Sequence, residues 1–370
     1  MDKNHKTYRI FVVNPGSTST KLSLFENESC LFTTDVFHDS SVLKQFPTIN
    51  DQLDYRMDVV KQFLTDNHID LTGIDAIVGR GGGCFPIVSG IYQIDDRLIQ
   101  DTKASRGGVN HASMLGVQMA ELLYRHYGGQ MFMIDPPVVD ELSDLARMTG
   151  VDGIYRKTGT HALNLKATAR KHAAVIGRKY EDCNFIVCHI DGGISITAHQ
   201  KGRMIDANNA SGGEGPFSPT RMGSMAVTDL LRYFETGELD KLKSLCSQTG
   251  GLSSYFGTSN SDTVHKMVEE GDPRARRVWN AMIYQINKWI GAMSTVLKGN
   301  VDGILLTGGL VRFSDMVAQI QECCEWIAPV TVYVGEFEQE AMAQGALRVL
   351  RGEEKAMRYP GKPVWNGFED

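Results

Sequence analysis

The sequence predicts an α/β fold built from two similar halves. Three observations carry that prediction. Strands and helices alternate along the chain. A strand, a polar turn and a second strand open it at 9–25, and the same plan returns at 184–199. At 370 residues the chain is also long enough for two domains, each with its own core.

In the opening segment, 10–13 is a short apolar run rich in β-branched residues. Residues 14–20 form a turn crowded with hydroxyls, and Leu22 and Leu24 then alternate with Lys21 and Ser23 as in a half-buried strand. Residues 50–67 space Leu53, Met57, Val60, Phe63 and Leu64 as one helical face. Residues 75–78 read as a buried strand ending in Gly79-Arg80-Gly81-Gly82-Gly83, and 87–95 as another strand. A helix is expected at 111–127, with Leu115, Met119, Leu122 and Leu123 on one face. A strand at 131–134 is stopped by Asp135-Pro136-Pro137, because proline brings no donor to a ladder and restricts its neighbour.

The second half starts with a helix at 160–175 and a strand at 184–190. The turn Asp191-Gly192-Gly193 leads into a strand at 194–199, and Gly202-Arg203 turns into a third. Helices are expected at 225–236, 262–270 and 273–297. A buried strand at 301–306 ends in Thr307-Gly308-Gly309, followed by a helix at 313–326, a strand at 330–334 and a last helix at 339–351. The domains expected are 1–155 and 156–345, with 346–370 completing the first.

The hydrophobic fraction of 42% and charged fraction of 22% suit a soluble globular protein. No apolar run reaches the roughly 18 residues of a membrane span, and the polar start shows no signal peptide, so a cytoplasmic location is expected. Net charge is −6 with no basic run, which argues against nucleic acid as a partner. The seven cysteines contain no CxxC pair, which argues against a zinc site and a disulfide framework.

The turn at 14–20 suits phosphate: Gly16 lets the backbone approach, and short side chains leave its N–H groups accessible. A surface hairpin with solvated hydroxyls would have the same composition. Arg80, beside three glycines at a strand end, is placed to bind a carboxylate or phosphate bidentately, or is a surface arginine near a loop.

Eight segments, in order, carry a resemblance. They are Val12-Val13-Asn14-Pro15-Gly16-Ser17-Thr18-Ser19-Thr20-Lys21, Val78-Gly79-Arg80-Gly81-Gly82, Asn110-His111-Ala112-Ser113, Ile134-Asp135-Pro136-Pro137, His161-Ala162-Leu163-Asn164, His189-Ile190-Asp191-Gly192-Gly193-Ile194-Ser195, Gly213-Glu214-Gly215-Pro216-Phe217-Ser218-Pro219 and Thr307-Gly308-Gly309-Leu310. With them the chain resembles the acetate and butyrate kinases, in the superfamily of acetate and sugar kinases, heat-shock ATPases and actin. That resemblance implies two actin-like (ribonuclease H-like) α/β domains with a duplicated core and a cleft between them. It implies reversible phosphoryl transfer between ATP and a short-chain carboxylate, butyrate first, and a homodimer or larger homo-oligomer. Acetate, propionate or isobutyrate as the acid, or an ATP-binding switch without acyl transfer, are the alternatives.

The same resemblance implies roles. Asn14, Arg80, His161, Arg221 and Asp135 would act on the transferring group. His161 would be a hydrogen-bond donor and not a base, since the attacking carboxylate has no proton to lose. Asp135 and Glu338 would hold Mg2+, with Glu336 and Glu340 close in sequence to the second. Gly192, Gly193 and Ser195 would meet the nucleotide β-phosphate, Gly308 and Gly309 the adenosine, and His111 the transferred phosphate. Residues 255–262 would lie near the adenine. Three positions depart from the family: Asp191 where glycine is expected, Thr160 where an aromatic is usual, and Gln339 where the family is apolar. Small residues at Gly82 and Thr160 would leave room for an acyl chain longer than acetyl.

Overall fold

The computed structural model describes residues 6–108, 111–233 and 239–368. Asn110, and the end of the helix expected at 225–236, lie outside them. Twelve strands are formed among the described residues: β1 Arg9–Pro15, β2 Ser19–Glu26, β3 Ser29–Phe37, β4 Ala76–Gly79, β5 Ile91–Gln93, β6 Gln130–Ile134, β7 Asn184–Ile190, β8 Ile194–Gln200, β9 Arg203–Ala207, β10 Gly303–Gly308, β11 Val330–Val334 and β12 Met357–Arg358. They make two sheets, in the orders β12-β5-β6-β4-β1-β2-β3 and β11-β10-β7-β8-β9.

The two sheets share one plan. An antiparallel meander of three strands (β1-β2-β3, β7-β8-β9) is extended from its first strand by two parallel strands, β4 and β6 in one sheet, β10 and β11 in the other. The duplicated α/β core read from the sequence is therefore present. By contacts the chain divides into one unit of residues up to Asp140 with those from Phe337, and a second of Glu141–Glu336. The sequence predicts divisions at 155/156 and 345/346. The helix Glu338–Leu350 lies on β1, β4 and β6, which places it whole in the first unit.

Each unit has its own core. Phe11, Val13, Leu22, Ile77, Leu115 and Met133 belong to the first, and Ile186, Ile196, Trp279, Ile286, Ile304 and Leu306 to the second. Trp279 is fully buried in the long helix Pro273–Val296, and its indole N–H donates to Asp315 Oδ2 at 2.9 Å. No helix among the described residues is long and apolar enough to cross a membrane.

Several elements differ from expectation for local reasons. The strand expected at 87–95 shrinks to Ile91–Gln93, because Asp95 caps the helix Asp96–Lys103 by accepting from Leu98 N–H. The helix expected from 111 starts as a 3₁₀ turn, Ala112–Met114, capped by His111, and becomes α-helical at Leu115–Tyr127. The strand β3 has no clear period because it is an edge strand, with most of its residues solvent-facing. Helices Leu239–Ser247 and Leu252–Phe256 were not expected either.

The helix Leu115–Tyr127 meets the end of β4 backbone to backbone. A Cβ on Gly116 would lie 2.2 Å from Arg80 O, and one on Gly79 2.2 Å from Gly116 O. Bare glycine is what permits the contact that seats Arg80. Gly116→Val is expected to lower the unfolding free energy by about 1–3 kcal/mol, the range for overpacking, as measured by urea denaturation. An unchanged midpoint would refute this account of the contact.

Candidate functional site

In the first unit, chain reversals between strands bring four expected residues into one network. Asn14 is the penultimate residue of β1, and its amide donates to Glu338 Oε2 at 2.9 Å. Arg80, directly after β4, donates through Nη2 to Glu338 Oε1 at 3.0 Å and through Nη1 to the Asp135 carbonyl at 3.3 Å. Asp135 follows β6 and is fully buried; its Oδ1 accepts from Gly90 N–H at 2.8 Å. Its φ of 38° lies in the left-handed region, where a non-glycine residue is strained. Strain of that kind gathers at functional sites, and the Gly90 contacts hold it here.

One guanidinium thus serves two carboxyl-bearing residues, leaving the group formally at −1. The donor set is all oxygen and hard, which fits magnesium, an ion that takes one or two protein carboxylates and keeps phosphate or water ligands. His111 lies in the same unit. Its Nδ1 accepts from Ser113 N–H at 3.1 Å, which puts the ring hydrogen on Nε2, 3.5 Å from Ser17 Oγ in the β1–β2 turn. Of the departures, Gln339 is buried here and its Nε2 donates to Ser23 Oγ at 2.8 Å, tying the last helix to β2 by a polar contact.

The second unit holds the remaining expected residues. His161 precedes the helix Ala162–Val175, and its Nδ1 is 2.9 Å from the buried Ser195 Oγ at the start of β8. Its ring stacks on His189, with centroids 3.9 Å apart and planes at 20°. The turn between β7 and β8 is pinned by one carbonyl: Gly192 O accepts from the hydroxyls of Ser218 at 2.6 Å and Thr220 at 2.7 Å. Arg221 lies across the adjoining residue. A Cβ on Gly193 would sit 2.4 Å from the guanidinium carbon, so glycine is required for the arginine to lie there. Burial pushes the Arg221 pKa down. Its Nε is buried without a hydrogen-bond partner among the described residues. It is a partly desolvated cation beside a glycine turn, placed to meet an anion.

Gly308 and Gly309 follow β10. Gly309 N–H donates to Asp191 Oδ2 at 2.6 Å, and Gly192 N–H to Asp191 Oδ1 at 2.7 Å. His189, Asp191 and Glu336 bring ligand atoms within 4.8 Å of one another, a spacing that a metal ion could bridge. Hydrogen-bond direction argues otherwise. Thr307 Oγ1 gives its proton to Gly335 O, so it accepts from the Asn164 amide, whose other N–H meets His189 Nδ1 at 2.9 Å. Nδ1 therefore accepts and the ring proton sits on Nε2, 3.6 Å from Glu336 Oε1. His189 turns a donor, not a lone pair, toward the two carboxylates.

Asn14, Arg80, Asp135, Glu338 and His111 thus belong to one unit, and His161, Gly192, Gly193, Ser195, Arg221, Gly308 and Gly309 to the other. Of residues 255–262 expected near the adenine, Tyr255 lies in Leu252–Phe256, and Asn260 caps Ser261–Glu269. Some supporting residues were not legible in the sequence. Arg56 is fully buried on the helix Leu53–Asp66 and holds the β1–β2 turn, donating to Gly16 O at 2.9 Å, Ser19 O at 3.3 Å and Ser17 O at 2.8 Å. Its position within an amphipathic pattern was the only signal. Ser218 lay in a recognised motif, but neither it nor Thr220 carried a role.

Comparison with known proteins follows the same lines. Residues 144–350 match the model of the acetokinase family. The chain is 42% identical over 355 residues to a protein named probable butyrate kinase from Clostridium botulinum (strain Alaska E43 / Type E3), covering 95% of this chain and 100% of that one. It is equally similar to the protein of the same name from the Eklund 17B strain of that organism. Among solved structures, the acetate kinase of Porphyromonas gingivalis superposes with a TM-score of 0.74 at 18% identity, covering 93% of this chain and 100% of that one. A propionate kinase from Francisella tularensis gives 0.70 at 17% identity, covering 91% and 98%. At those identities the structures bear on the fold alone, which is actin-like.

Two outcomes test the support of the β1–β2 turn. Arg56→Met would strand three turn carbonyls and is expected to cost about 3 kcal/mol of stability in chemical denaturation; a loss within experimental error would show that the turn holds itself. His38 is buried with Nε2 2.8 Å from Thr20 Oγ1, and burial, with the Arg56 cation adding to it, pushes its pKa from 6.5 down to about 4. The unfolded chain then binds this proton at higher pH than the folded one. The stability that neutral His38 contributes is present above pH 6.5 and is lost as pH falls toward 4. His38→Asn should flatten the stability profile over that window, and an unaltered slope would exclude His38 as its source.

Proposed function

The chain belongs to the acetokinase family, whose members are carboxylate kinases, and on that premise we propose that it moves a phosphoryl group reversibly between ATP and a short-chain carboxylate, butyrate first among them. A carboxylate oxygen attacks the γ-phosphorus in line, the P–O bond to ADP breaks, and an acyl phosphate forms. The attacking group is already an anion, so no general base is needed.

The observation that carries this reading is Arg221, a half-buried cation laid on Gly193 with its Nε unpartnered among the described residues. Phosphoryl transfer depends on positioning and on cations that meet charge spread over the equatorial oxygens. Arg221 fits that demand, and we assign a second donor to His161, oriented by Ser195 and by its stack on His189. We assign nucleotide phosphates to the backbone of Gly192 and Gly193 with Ser195, and the nucleoside to Gly308 and Gly309. Asn14 and Arg80 are assigned to the phosphoryl group on the acyl side, with His111 near it. Asp135 and Glu338 would hold Mg2+, which when bound neutralises phosphate charge.

The choice of acid rests on Thr160, small and buried, with its hydroxyl unpartnered among the described residues. One methylene in an apolar site is worth about 1–3 kcal/mol, so the substrate range should be graded and not absolute.

With ATP, magnesium, hydroxylamine and carboxylates of two to six carbons, the protein is expected to yield acyl hydroxamate, most from butyrate. No product from any acid would reject the enzyme reading. Arg221→Ala should lower kcat/KM by roughly 10²–10³ while the fold is kept, as for loss of a single transition-state donor. Thr160→Phe should move the kcat/KM preference from butyrate toward acetate, and an unmoved ratio would remove Thr160 from substrate selection.

A further inference from the structure

Asp191 stands where the resembled family has glycine, in the middle of the segment assigned to nucleotide phosphates. A carboxylate there should repel them. Its actual contacts make the effect more specific than repulsion. Oδ1 accepts from Gly192 N–H at 2.7 Å and Oδ2 from Gly309 N–H at 2.6 Å. One side chain therefore bridges the β7–β8 turn and the segment after β10, taking a backbone donor from each. These are charge-assisted bonds to N–H groups in glycine turns, the chemistry by which such turns hold phosphate oxygens. The backbone around Asp191 is set for this: its own N–H donates to Gly193 O at 3.2 Å, closing the turn, and Gly192 O is fixed from the other side by Ser218 and Thr220.

We propose that Asp191 is an anion, tethered through Gly309 N–H, that occupies the phosphate donor Gly192 N–H and so sets the nucleotide affinity of this unit. It acts as a specificity-determining residue: a ligand bearing phosphate must displace the carboxylate, whereas a nucleoside without phosphate need not. The inference rests on the assignment of nucleotide phosphate to Gly192 and of the nucleoside to the glycine backbone at Gly308 and Gly309. Asp191→Gly frees both donors and removes the charge. Asp191→Asn removes the charge but keeps the size and one acceptor.

The test is calorimetric titration of the full chain and both variants with ADP and with adenosine, in the absence of magnesium, after thermal melting has shown that the variants are folded. The Kd for ADP is expected to fall about tenfold or more in Asp191→Gly and by a smaller factor in Asp191→Asn, with that for adenosine within about twofold throughout. Unchanged or weaker ADP binding in both folded variants overturns the tethered anion while leaving the nucleotide assignment in place. Tightening of adenosine in parallel with ADP also overturns it, since the effect would then not be on phosphate. Binding of neither ligand by any of the three proteins overturns the nucleotide assignment and the inference with it. ADP binding that appears only in the variants supports both.

Discussion

Three donors fixed on peptide carbonyls hold each of the two turns that join the first and second strands of the meanders. A turn can offer its N–H groups to an anion only if its carbonyls are already satisfied elsewhere, because buried peptide groups that lack partners are costly. In the first unit a buried guanidinium, Arg56, takes the carbonyls of Gly16, Ser17 and Ser19. In the second, two hydroxyls, Ser218 and Thr220, and the Thr220 N–H converge on Gly192 O. The two sheets repeat one strand plan, yet this problem is solved by an ion in one and by neutral groups in the other. In the second unit the neighbouring Gly192 N–H is taken by the Asp191 carboxylate.

Much of the fold was legible because it rests on period and punctuation. The runs at β7 and β10 are continuous and apolar, and both strands are buried along their length. The meander plan was visible from turn chemistry at Gly192-Gly193 and Gly202-Arg203. What escaped was of two kinds. The strand β3 and the helix Leu239–Ser247 have little buried surface or a short span, so their patterns are faint. The strand expected at 87–95 is cut short at its end by a helix cap at Asp95, a local competition that period alone does not weigh.

The candidate site was legible unevenly: the turn at 14–20 and Arg80 could be read from residue chemistry, the rest only through resemblance. Asn14, Arg80 and Glu338, far apart in sequence, meet in one hydrogen-bonded group, which no spacing rule could have foretold. The departure at Asp191 was visible as a residue type, but its meaning lay in two backbone donors from different turns. Arg56 was the reverse case: its helix was read, but a fully buried arginine inside an amphipathic pattern looks like a solvent-facing charge until its partners are seen.

The discontinuity of the first unit has a consequence for how the protein is made. The second unit is one unbroken stretch, Glu141–Glu336, and all of it leaves the ribosome before Phe337 does. Domains tend to fold as units while the chain is still emerging. The first unit, begun earlier, must therefore wait: the face of β1, β4 and β6 that receives Glu338–Leu350 stays uncovered throughout synthesis of its neighbour. Translation order thus favours completion of the later-encoded unit ahead of the earlier one, and it leaves an apolar sheet face as the surface for chaperones to shield.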